Sequence, residues 1–292
     1  MDIPKIKMIM KKKLLYIFIA ITLSFQLVGQ DKVHQTFKDT RVINTHSVET
    51  LRKGILDFRI AHRFGDASGA AGGWPTFYGL ESASDVLIGL EYGLSDNFMV
   101  GISRTKGAGP LRQNVNGLFK YRVMRQDVGG GTNPFSVAFV GNISYSTMQF
   151  SNLIQKNVHR FSYNLQVLFG SRLNQNLAMQ LGAAWTYRNN VFSDDTNDLP
   201  SVSAVFKYQL SKVFALIVDA NFPFSEIRNT QNGYYNPIGV GFEWETGGGH
   251  VFQINLTNAR GLIETDYIPY TRSNWGDGEY RIGFTISRGF KL

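Results

Sequence analysis

Cysteine is missing altogether from the 292 residues. That excludes a disulfide scaffold, thiolate metal sites, a cysteine nucleophile and a lipid-bearing N-terminal cysteine. An excess of one charge is nearly missing too. Lys+Arg 30 against Asp+Glu 22 gives +8, but Lys5, Lys7, Lys11, Lys12 and Lys13 against Asp2 place half of that surplus before residue 30. The remainder is too mild for an electrostatic nucleic-acid surface, so no nucleic-acid partner is expected. There is no Gly-x-Ser-x-Gly, phosphate loop, Rossmann glycine pattern or His-Glu-x-x-His. The histidines, His34, His46, His62, His159 and His250, have no ligand spacing. No catalytic residue, metal site or cofactor is therefore assigned. The runs Gly129-Gly130-Gly131 and Gly247-Gly248-Gly249 stand between strands and read as turns. Beyond residue 29 no apolar run is long enough to cross a membrane as a helix.

What is present begins with an export signal. Lys11-Lys12-Lys13 precede the apolar run LLYIFIAITLSFQLVG, residues 14–29, with the small Gly29 at its end. That is the pattern of a cleaved signal peptide over 1–29, with cleavage near Gly29 or Gln30. Thr22, Ser24 and Gln26 weaken the second half for a spanning helix. Met10 opens a more ordinary signal than Met1, so either methionine can be the start.

From Lys53 onward the chain alternates with period two. In EYRIGFTISRGF, Tyr280, Ile282, Phe284, Ile286 and Phe290 share one face. Phe161, Tyr163, Leu165, Val167 and Phe169 alternate with Ser162, Asn164 and Gln166. This is the strand template rather than the helix one. Such segments fall at 53–64, 84–94, 97–105, 113–124, 134–146, 159–171, 176–188, 200–210, 213–222, 235–246, 249–258 and 279–290. Each is long enough to cross a bilayer at the usual barrel tilt, whereas soluble sandwiches use shorter strands. The connections alternate between long and tight, as in outer-membrane barrels. The fold expected is all-β: a single antiparallel transmembrane β-barrel of about twelve strands, with both termini periplasmic.

The polar face of these strands carries Arg59, Glu91, Lys120, Arg122, Gln166, Gln180, Arg188, Lys207, Asp219, Glu243, Gln253 and Arg281, while the apolar face ends in aromatics at both rims. Aromatic girdles mark lipid interfaces. The inward charges Arg59, Glu91, Lys120, Arg122, Arg188, Lys207, Asp219, Glu243, Glu279 and Arg281 are expected to form a lumen network, as structure or as a solute path. Both signs occur in similar number, so they are expected to pair and to narrow or block the axis. Phe290, in the closing strand, resembles the aromatic read by outer-membrane insertion machinery, which makes that machinery and the lipid bilayer the expected partners. Residues 30–52 are expected to form a periplasmic segment ahead of a 53–292 barrel domain, with a plug entering the lumen as the alternative.

Four stretches, 47–66, 77–104, 245–261 and 281–290, resemble a domain-of-unknown-function family of outer-membrane β-barrel proteins found in Bacteroidota. The resemblance implies a barrel in the outer membrane and supplies no functional residues. The reading is a non-enzymatic structural or accessory barrel with a narrow or blocked lumen, docking another envelope protein. A narrow channel or transporter for small solutes is the alternative. A third reading, an outer-membrane lipid hydrolase, would need a serine beside His62 or His159.

Overall fold

The computed structural model describes residues 31–129 and 131–292. The expected signal peptide and its cleavage point lie outside the described residues. Two short strands, β1 (Arg41–Val42) and β2 (Thr45–His46), form a small hairpin. Twelve long strands follow: β3 (Ile55–Phe64), β4 (Ala83–Ser95), β5 (Phe98–Thr105), β6 (Asn114–Met124), β7 (Ser136–Ser146), β8 (Phe161–Arg172), β9 (Leu177–Arg188), β10 (Asp198–Gln209), β11 (Phe214–Pro223), β12 (Ile238–Glu245), β13 (His250–Thr257) and β14 (Arg281–Lys291). Neighbours in sequence pair antiparallel, and β14 returns to β3 from Gly283↔Arg63 to Lys291↔Ile55. The result is one closed barrel without edges, which leaves no strand hydrogen-bonding group facing lipid.

All twelve expected strands are present. Their boundaries follow from where alternation stops. Ser95, Leu173, Leu210 and Thr246 enter short connections at one end of the barrel, while 65–82, 106–113, 147–160, 189–197, 224–237 and 258–280 span the other. Residues 125–135 are the one longer connection at the short-turn end. Strand β3 begins and β14 finishes at that same end, so the N-terminal segment enters and the chain leaves there.

The faces are the reverse of a soluble barrel. Every one of the polar positions Arg59, Glu91, Lys120, Arg122, Gln166, Gln180, Arg188, Lys207, Asp219, Glu243, Gln253 and Arg281 is buried. Their apolar neighbours point outward, with Ile88 52%, Ile102 59% and Leu181 61% exposed. Aromatic rings touch in two belts. Toward the long loops, Tyr145 and Phe161 lie 5.0 Å apart, and Trp185 and Tyr187 5.6 Å. Toward the short turns, Phe98 meets Tyr121 at 6.3 Å and Trp244 meets Phe252 at 5.3 Å.

Strand β14 closes the barrel, and its removal tests closure directly. Deleting residues 279–292 exposes the edges of β3 and β13 in lipid, where each unsatisfied backbone group costs on the order of several kcal/mol. Loss of the heat-modifiable gel band and degradation of the chain are expected. Deleting only Lys291 and Leu292 removes the Lys291↔Ile55 pair and the 2.9 Å bond from Leu292 N to Gly54 O, both at the rim, and assembly should persist. Normal assembly of the longer deletion would refute the role given to β14.

Candidate functional site: the filled lumen

Residues 36–49 lie inside the barrel rather than in a tail outside it, while Asp31, His34, Arg52 and Lys53 are exposed. Thr36, Phe37, Asp39, Thr40 and every residue from Val42 to Glu49 are buried. The hairpin turns at Ile43, whose φ of 52° is a left-handed value that a β-branched residue rarely adopts. What holds it there is the wall. The Asp219 carboxylate accepts from Asn44 N (2.9 Å), Asn44 Nδ2 (2.9 Å), Thr45 N (3.0 Å) and Thr45 Oγ1 (2.9 Å). Two wall glycines give the plug room: a Cβ at Gly170 would stand 2.7 Å from Val48 Cγ2, and one at Gly239 2.7 Å from Ile43 Cγ2.

One side of the plug–wall contact is apolar. Phe37, Val42, Ile43 and Val48 join Ala138, Val140, Leu168, Ala178, Val205 and Ile217 in one buried cluster, so this side of the lumen has a hydrophobic core like that of a globular domain. The remaining contacts are charged or polar. Lys120 Nζ donates to the carbonyls of Thr40 (2.8 Å), Ser47 (2.9 Å) and Glu49 (3.1 Å). Arg59 forms a two-pronged bond with Asp39, with Asp57 at 3.3 Å and Glu91 at 3.7 Å. Glu91 also accepts from Thr40 Oγ1 at 2.9 Å. Arg122 Nη1 reaches Glu49 at 3.1 Å and its Nη2 the Asp96 carbonyl at 2.8 Å. Gln180 and Gln253 serve backbone groups of Val48, His46, Ile43 and Arg41.

The opposite end is filled from within the last long loop. Helix α1 (Glu264–Tyr270) hangs inward, with Glu264 through Pro269 buried. Asp266 accepts from Ala108 N at 2.7 Å, and burial with Asp85 nearby pushes its carboxyl up to about 7. Arg63 donates to the carbonyls of Ala259 and Gly261 and to Asn44 Oδ1, tying loop to plug. The two fillers meet at Glu264, which lies 3.3 Å from Arg41 Nη1 and 3.4 Å from His46 Nε2. Burial, with Arg41 and Lys120 nearby, lowers the His46 imidazole well below its usual range, so that contact joins a neutral ring to the carboxylate. Beside this junction the gap lined by Arg41, Arg59, Glu91 and Asn142 has about 20 Å³ of free room, enough for roughly one water.

The expected network of inward charges needs correcting in its pairing. Arg59, Glu91, Lys120, Arg122 and Asp219 all bind the plug; among them only Arg59 and Glu91 also pair with each other, on neighbouring strands at 3.7 Å. Arg188 sits at the long-loop mouth, bonded to Asp195 at 2.7 Å; Arg228 holds the same carboxylate. Burial alone would raise Asp195, but these two guanidiniums outweigh it and hold the carboxyl well below the usual range. Arg281 donates to Ser273 Oγ at 2.8 Å and braces the loop behind α1. Lys207 faces the ring of Phe37 at 5.8 Å, and Glu243 accepts from Gln253 at 3.1 Å. Glu279 is not in the lumen: it precedes β14 and accepts from Asn274 N at 2.8 Å within the loop. Phe290 is on the outer face near the short turns, with Arg288 4.7 Å over its ring.

Sequence reasoning missed Asp39, Glu49, Asn44 and Glu264, because nothing in their spacing marks a segment as lumen filler. Arg63 and Asp85 were within reach, since both continue the inward register of β3 and β4. Among the described residues no histidine bonds to a serine; His62 instead lies between Phe64 and Phe284, at 4.3 and 5.6 Å.

The chain matches, over residues 37–290, the family described as membrane bound beta barrel domain (DUF5777), and it belongs to that family. It is therefore a membrane β-barrel of the outer-membrane type. Among solved structures the fold is similar to the NanC porin, at 10% identity and TM-score 0.47, covering 81% of this chain and 100% of that one. It is similar to the KdgM porin, at 8% identity and TM-score 0.49, covering 81% and 99%. It is also similar to the COG4313 outer membrane channel from Pseudomonas putida F1, at 15% identity and TM-score 0.47, covering 84% and 98%. No curated protein matches the chain.

Proposed function

We propose that this member of the membrane bound beta barrel family is a non-enzymatic structural or accessory barrel, held in the outer membrane with its lumen blocked by its own chain. The observation that carries this reading is the meeting of plug and α1 at Glu264. Filling from both ends leaves a gap of about 20 Å³ beside this contact, room for roughly one water. The plug's apolar cluster supports a permanent filler over a gate, because withdrawing it would wet Val140, Leu168, Val205 and Ile217.

In this reading the short-turn end, with both termini, faces the periplasm, and the long loops face outward, as in outer-membrane barrels of even strand number. Residues 1–29 serve as the export signal. The insertion machinery reads β14 with Phe290, and a source among the Bacteroidota follows the resemblance of 47–66, 77–104, 245–261 and 281–290. No histidine among the described residues bonds to a serine, so lipid hydrolysis has no Ser–His pair to support it. An envelope protein docks on the exposed loops or turns.

The test is conductance. The purified mature protein in planar bilayers is expected to show no steady current at either polarity. Large, stable, ion-selective steps would overturn the blocked-lumen reading and favour a narrow channel for small solutes.

A further inference from the structure

The outer surface carries a relief that neither the filled lumen nor barrel closure explains. Toward the long loops, on the β5–β6 side, Arg104 and Lys106 share the outward register and are exposed, and Arg112 is exposed in the connection that follows. Arg104 pairs in register with Val115, and Val115 with Tyr145 of the outer aromatic belt. These cations therefore stand at the lipid–water boundary, where headgroups lie. Arg104 uses only Nη1, toward Gln113 O at 2.5 Å and Thr147 Oγ1 at 3.0 Å. Lys106 gives one bond, to Ala83 O at 2.6 Å. Neither they nor Arg112 takes part in an ion pair among the described residues.

Below them the wall is hollow. Gly117, the next outward position on β6 after Val115, pairs with Ile143, and a Cβ added there would meet nothing within 4 Å. The Phe119 ring lies flat over Gly141, where a Cβ would be 2.1 Å from it. Beside that ring lies a groove of about 360 Å³ that runs from Phe119 and Ile143 past Tyr163 and Leu165 to Trp185 and Tyr187. Its lining is almost wholly apolar, and it opens toward lipid.

We propose that these two features form one site for a phosphate-bearing anionic lipid. The headgroup phosphate lies on Arg104, Lys106 and Arg112, and one acyl chain crosses the open notch at Gly117 into the groove beside its strand partner Ile143. Arginine suits the role because its planar fork bonds phosphate oxygens in pairs, and both long side chains keep their charge in water while their stems lie on apolar surface. The open notch at Gly117 lets the chain leave the headgroup level against the wall. A zwitterionic lipid would fill the groove equally well but leave the cations without net attraction.

The experiment uses the full mature chain, stripped of lipid in detergent and titrated with diphosphoryl lipid A, phosphatidylglycerol, phosphatidylcholine or inorganic phosphate, with bound molecules counted by native mass spectrometry. The anionic lipids should bind at least tenfold more tightly than phosphatidylcholine. R104Q/K106Q/R112Q should erase that preference, and G117L, which fills open space, should weaken all lipids while the heat-modifiable band stays unchanged. Equal binding of phosphatidylcholine, or an unaltered preference in the triple variant, would overturn the site. Phosphate competing fully with lipid while G117L has no effect would show a bare anion site and overturn the lipid assignment. None of these outcomes depends on whether the lumen conducts.

Discussion

A barrel lacking residues 31–50, and carrying a short Gly–Ser turn in place of residues 261–272, is expected to conduct ions in steady steps where the intact protein is silent. Twelve strands enclose an interior between the side-chain-filled small barrels and the open porins, so emptying it admits water. Neither deletion alone should give the full current, because α1 closes one half of the lumen and the plug the other. The lining left behind includes Lys120, Arg122, Lys207, Asp219 and Glu243, which water can solvate once the fillers are gone. Single-channel recording of the two single deletions and the double deletion decides the matter. Full conductance after plug removal alone would make α1 a yielding lid rather than a second stopper.

Arg59→Ala is expected to cost about 3–5 kcal/mol, the range for stripping one partner from a buried ion pair. The reason lies in what remains: Asp39, Asp57 and Glu91 converge on that guanidinium, and all are buried. Urea unfolding of the detergent-solubilised barrel reads the loss as a lower midpoint. Asp39→Asn in the Arg59→Ala background should recover part of it, giving a coupling of about 1 kcal/mol or more for residues in direct contact. A shift below that for Arg59→Ala alone would mean that water reaches the cluster and the plug is loosely held at this point.

Much of the architecture was legible because a membrane barrel writes its faces into alternate residues. Arg59, Lys120 and Asp219 declare an inward register without any partner being known, since charge cannot face lipid cheaply. What they bind was not legible. Lys120 satisfies itself on three backbone carbonyls and Asp219 on two backbone N–H groups beside two side-chain donors, and every residue but proline carries such backbone groups. The plug has no regular period because it forms only a two-residue-arm hairpin, β1 and β2, and takes its order from the wall. Glu279 was assigned inward because it continues the alternation of β14. Pairing of that strand, however, starts at Arg281 against Thr257, and the residue beyond belongs to the loop.

The contact of Arg41 with Glu264 also bears on the order in which the molecule is put together. The last pairing, β14 on β3, joins segments separated by most of the chain, and such pairing pays loop-closure entropy before it is rewarded. Each filler is tethered to one side of that seam: the plug runs directly into β3, and α1 directly precedes β14. If the fillers dock on each other before the seam closes, the two seam strands are already neighbours, and the search that remains is that of a short loop. The interior would then act as a splint for the exterior, and substitutions at Arg41 or Glu264 are expected to slow the appearance of the heat-modifiable band during refolding.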